Sequence, residues 1–186
     1  MKRTKYIVAA LVAACMITVG CKENKTQSTE EVKDTAEVVV SDSTIYGICG
    51  EGTSMHSLEL ITNEGDTLTF LVNIDDEEDG DAVKGGLLSG DKLAVIKKAA
   101  SDEPTALKVL NLTTLEGKWT SLDRNFEIVD GGEVVSTVQS ESNPYTHWRI
   151  LNGQLLMGRD TFDILTLGAD TLELENSKGI FVYTRK

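Results

Sequence analysis

Few side chains in this 186-residue sequence are equipped for covalent or acid–base chemistry. There are two histidines, His56 and His147, and three cysteines, Cys15, Cys21 and Cys49. A thiol nucleophile needs a histidine partner or an electropositive setting. Cys49 stands instead in the apolar run Ile45-Tyr46-Gly47-Ile48-Cys49, where a small buried hydrophobe is the simpler reading. In the acidic run from Asp75 to Asp81, Asp75, Glu77, Asp79 and Gly80 match the first half of a calcium-binding loop. Its twelfth position is Gly86, where a bidentate carboxylate is required, so a solvated loop is expected and no metal. Between Tyr145 and Leu151 the alternation places Tyr145, His147 and Arg149 on one face, Trp148 and Ile150 on the other. The polar trio has the residue types of an anion-binding patch, and its plainer alternative is a solvated outer face of a strand whose apolar side is core. No phosphate-binding glycine loop, zinc-ligand spacing or catalytic triad is present, and Gly85-Gly86 reads as a turn. The expectation is a non-catalytic protein without cofactor or metal.

The N-terminus carries chemistry of another kind. Lys2, Arg3 and Lys5 precede an apolar run from Tyr6 to Gly20 that ends in Thr18-Val19-Gly20-Cys21. That run is about fifteen residues, short of the roughly 20 that span a bilayer as a helix. It resembles the signal peptide of a bacterial lipoprotein. The resemblance implies cleavage before Cys21, which becomes the lipidation site and the mature N-terminus. Val12-Ala13-Ala14-Cys15 offers a second match, but leaves an apolar segment of about six residues before it. After Cys21 the chain turns at once to Lys22-Glu23-Asn24-Lys25. Each methylene buried by the attached acyl chains would add about 0.8 kcal/mol of membrane affinity. The implied address is the cell envelope, lipid-anchored, at the outer membrane, on its periplasmic face or at the cell surface.

Charge narrows the partners further. The chain carries a net charge of −12, and removing the leader takes away three basic residues and no acidic one. A surface this acidic repels phosphate backbones, which excludes nucleic acid as a partner. It also leaves contact with the membrane to the lipid. With Cys15 in the leader and Cys21 acylated, Cys49 has no partner for an intramolecular disulfide.

Four stretches organise the chain: a signal peptide over residues 1–20, a lipidated flexible tether over 21–42, a small β module over 43–112 and a barrel domain over 113–186. The tether is rich in Lys, Glu, Thr and Ser and has no periodicity. Beyond it, short alternating segments bounded by Gly, Asn and Asp predict an all-β protein. In the first module the candidate strands are Thr44–Cys49, Ser57–Thr62, Thr67–Val72, Lys92–Lys98 and Ala106–Asn111. Five strands in about seventy residues suit a small closed sheet of the OB or SH3-like kind. The second block offers eight, at Lys118–Ser121, Asn125–Val129, Glu133–Gln139, Tyr145–Leu151, Gln154–Gly158, Thr161–Leu167, Thr171–Glu175 and Ile180–Arg185. Asn152-Gly153 between two apolar segments is a strong hairpin signal, and strictly local hairpins predict a meander that closes to remove its edges.

The second block resembles the lipocalins. Leu115-Glu116-Gly117-Lys118-Trp119 opens it with Gly-x-Trp, and Phe181-Val182-Tyr183-Thr184-Arg185-Lys186 supplies an arginine near the end of the last strand. The resemblance is closest to short lipocalin-like domains of Bacteroides-type lipoproteins, which share Trp148-Arg149-Ile150-Leu151 and then Asp160-Thr161-Phe162-Asp163-Ile164. It implies that Trp119 packs at the barrel floor under Arg185. Full lipocalins are about twice as long, and strands of five to seven residues give walls of only ~17–23 Å. Barrels this short are filled by their own side chains. The triplets at Asp34, Asp42, Asp66 and Asp170 also resemble the Asp-Ser/Thr-apolar glycosylation motif of such bacteria. The expected function is a non-catalytic interaction or binding module with an envelope protein partner. Its alternative is a lipocalin-type carrier of a small apolar molecule.

Overall fold

A computed structural model describes residues 41–72, 82–136 and 144–185. Val40–Lys186 form one compact unit. The acidic run, Cys21, the tether triplet at Asp34 and the end of the strand expected to reach Gln139 lie outside the described residues.

The first sheet contains β1 (Ile45–Cys49), β2 (Ser57–Thr62), β3 (Thr67–Leu71), β4 (Val83–Lys84), β5 (Lys92–Lys97) and β6 (Ala106–Asn111), in spatial order β3-β2-β1-β5-β6-β4. Alternation drives it: Leu58, Leu60 and Phe70 turn inward and meet Leu93, Val95 and Val109 in one buried cluster. The sheet curls until the Leu71 amide donates to the Pro104 carbonyl at 2.8 Å. β4 is a sixth strand that local pattern does not show. It is two residues long and pairs in parallel with β6, so a distant segment creates it. A single helical turn, α1 (Leu112–Leu115), follows β6, and the Asn111 side chain caps it by accepting from the Thr114 amide.

The second sheet is a meander closed into a barrel. Its strands are β7 (Gly117–Thr120), β8 (Asn125–Val129), β9 (Glu133–Ser136), β10 (Trp148–Leu151), β11 (Gln154–Met157), β12 (Asp160–Leu167), β13 (Thr171–Asn176) and β14 (Gly179–Arg185). β14 pairs with β7, so the spatial order runs β10-β11-β12-β13-β14-β7-β8-β9. The remaining gap is stapled by the amides of Val134 and Trp148, which donate to Thr146 and Gly132 at 3.0 and 2.8 Å. The Trp148 indole adds a bond to the Val129 carbonyl at 2.8 Å. Both residues of the Asn152-Gly153 turn have positive φ, +49° and +78°, as the tightest hairpins require.

The meander sends successive turns to opposite ends. The turns after β8, β10 and β12 share one end with α1, while those after β7, β11 and β13 share the other. The first module covers the former. Ala94 and Leu110 of its sheet join the barrel's core cluster, and Tyr46 packs against it. The Tyr46 hydroxyl donates to the Ile150 carbonyl on β10 at 2.9 Å. Lys92 reaches the turn after β8 through an ion pair with Asp130 at 2.7 Å.

Candidate functional site

The barrel interior, its free rim and the seam with the first module are three different environments. The interior is occupied by the protein itself. Trp119, Phe126, Ile128, Tyr145, Ile150, Leu155, Met157, Phe162, Leu174 and Tyr183 belong to one buried cluster. Its aromatic members meet edge to face, with ring centroids 5.0 Å apart for Phe126–Tyr183 and 6.2 Å for Tyr145–Phe162.

Trp119 is fully buried at the covered end of the barrel, and its indole donates to the Leu115 carbonyl at 2.8 Å. The Arg185 guanidinium lies 4.3 Å from the Trp119 ring centroid and donates to the carbonyls of Glu116 and Thr114. Gly117, at φ +128°, leaves the space for it: a Cβ there would stand 2.6 Å from Arg185 Nη1.

Tyr145, His147 and Arg149 do not form one patch. His147 and Arg149 are exposed, but Tyr145 is 7% exposed and packed between Phe126 and Phe162. Strict alternation begins only at Trp148, and the phase slips before it, where burial of a phenol ring outweighs regular pleating. Tyr145 instead receives Arg124, whose guanidinium lies 4.4 Å from the ring centroid. Arg124, in the turn between β7 and β8, drew no notice in the sequence because nothing local marks its partner.

That turn belongs to the free rim. Leu122 at its tip is fully exposed, and Ile180 and Val182 on the outer wall of β14 are 58% and 51% exposed. A groove of about 240 Å³ runs between them, with Phe181 and Arg124 in its lining. The rim turns carry Arg124, Arg159 and Lys178 against Asp123 and Asp160, and Lys178 pairs with Asp160 at 2.8 Å.

The seam is polar at its centre. Asn111 is 1% exposed, and its amide nitrogen donates to the Gly86 carbonyl at 3.0 Å and to Asp91 at 2.6 Å. Thr114 donates to the Gly85 carbonyl at 2.9 Å. A cleft of about 460 Å³ opens beside this loop.

The N-terminal lead is fastened at the same end. Asn152 Oδ1 accepts from the Ser43 amide at 2.8 Å and from its hydroxyl at 2.7 Å. Asp42 accepts from the amide and hydroxyl of Thr44. Partial burial pushes the Asp42 carboxyl up, but the bonds from Thr44, the Asn152 amide and the charge of Arg149 outweigh it. The group is held below its ordinary 3.8.

Cys49 is buried, with its sulfur 3.3 Å from the Thr53 hydroxyl. Among the described residues no three His, Cys, Asp or Glu side chains are grouped to hold a metal, and no helix is long and apolar enough to cross a membrane. No family model, curated protein or solved structure matches the chain.

Proposed function

We propose that this is an exported, lipid-anchored protein of a bacterial envelope whose β body is a non-catalytic interaction module. Its barrel fold is compatible with binding, and a filled interior directs that binding to the outside. The observation that carries the reading is the free rim, where Leu122, Ile180 and Val182 stand exposed along one groove that Arg124 also lines. Exposed aliphatic side chains along a groove with a single arginine fit a protein partner that offers an apolar segment beside a carboxylate. The leader and Cys21 support the envelope address, and the twenty residues from Cys21 to Val40 could reach roughly 66–72 Å if extended.

A photo-crosslinking residue at position 122, introduced in the native bacterium, tests the reading. A discrete adduct is expected that disappears with Ile180→Glu and with Val182→Glu. The same residue at Thr69, on the outer face of β3, should give no such adduct. Identical patterns at 122 and 69, or an adduct indifferent to both substitutions, would remove the rim from consideration. Intact mass of the native protein tests the anchor separately: a lipid-sized increment on Cys21 is expected, and its absence rejects the anchor.

A further inference from the structure

The cleft at the seam has different chemistry from the rim. We infer that it is a binding site for a small, uncharged molecule that carries both apolar and hydrogen-bonding groups. It is built from both halves of the molecule: Met55 from the β1–β2 connection, Leu87 after β4 and Leu167 from β12 supply apolar walls. The Ser54 hydroxyl and the Gly85-Gly86 backbone supply the polar contacts. Among the described residues no charged side chain lines it, so an ion entering would lose hydration without a partner there, whereas a neutral molecule would not. Its volume of about 460 Å³ lies within the roughly 300–1,000 Å³ of small-molecule sites, which favour such seams.

The floor is bare backbone for a packing reason. At Gly85, φ +93°, a Cβ would stand 2.7 Å from Asn111 Cβ and 3.0 Å from Leu167 Cδ2. At Gly86, φ +77°, a Cβ would meet nothing within 4 Å. One glycine is therefore demanded by the seam behind it, and the next faces open space. Both peptides are held from behind by Asn111 and Thr114, so the floor is shaped before a ligand arrives. Met55 at the lip is 72% exposed, a flexible thioether that a bound molecule would cover. The site lies outside the barrel and does not depend on the rim's having a partner.

The test is a fluorescence titration of residues 40–186, one compact unit, with the neutral apolar dye N-phenyl-1-naphthylamine. Saturable one-to-one binding with blue-shifted emission is expected. Met55→Glu puts a charge at the lip and Ser54→Trp fills the cleft; each should weaken binding by about tenfold or more. Both positions are exposed, and a melting curve confirms that each variant is folded. Ile180→Glu, at the rim, should leave the titration unchanged. Binding that never saturates overturns the inference. So does binding that Ile180→Glu abolishes while Met55→Glu and Ser54→Trp leave it intact.

Discussion

Both ends of the barrel place an arginine over an aromatic ring, and the two pairs behave differently because of what surrounds them. At the covered end Arg185 lies on Trp119, is bonded to two carbonyls and is enclosed by Gly117 and α1. At the free end Arg124 lies on Tyr145 at almost the same distance, but its turn projects Leu122 and Asp123 into solvent. Enclosure turns the first pair into part of the fold. The second is itself half-buried, but it lies directly beneath exposed turn residues. The covered end also buries Asn111 with its bonds made.

The largest effect that would sharpen this contrast is Trp119→Ala, expected to cost about 3–5 kcal/mol as a deleted buried aromatic. An unchanged melting temperature would break the comparison outright. Gly85→Ala should cost about 2–4 kcal/mol, from positive φ together with overpacking, read as a shifted urea midpoint at constant m-value. Asn111→Ala removes the bonds to the Asp91 carboxylate, the Gly86 carbonyl and the Thr114 amide at the seam and should cost about 1–3 kcal/mol by the same measurement. At the free end Arg124→Ala should cost only about 0.5–1 kcal/mol. A loss as large as that of Trp119→Ala would mean that the rim, too, is structural.

The smallest effect concerns pH. Asp42 has its folded-state pKa depressed, so the stability that it lends to the N-terminal lead is fully present above its ordinary 3.8. It is lost as pH falls through the lower folded value. Hydrogen exchange at the Asn152 amide should therefore rise, relative to the chemical rate, below about pH 3.8 and stay flat from about pH 5 to 7. In Asp42→Asn that acid-dependent rise should vanish.

Much of the architecture was legible because β-structure with one buried face writes itself as alternation. Asn125–Val129 and Ala106–Asn111 were readable to the residue, and Asn152-Gly153 announced its hairpin. Expectation and structure part where a partner distant in sequence decides the conformation. β4 exists through β6, and Tyr145 leaves the expected face because Phe126 and Phe162 surround it. For the candidate sites the sequence marked Gly85-Gly86 only as a turn and passed over Arg124, Leu122 and Met55. An exposed leucine and a buried one are spelled alike.

By itself the sequence determined the all-β class, the strand segments and the net negative charge, since periodicity and charge are local or additive properties. Only the tertiary structure decided which end of the barrel the first module covers, that Asn111 and Gly85 form the seam, and that Leu122, Ile180 and Val182 share one exposed rim. Those facts depend on contacts between segments tens of residues apart, and each arises from burying one surface at the expense of leaving another in water.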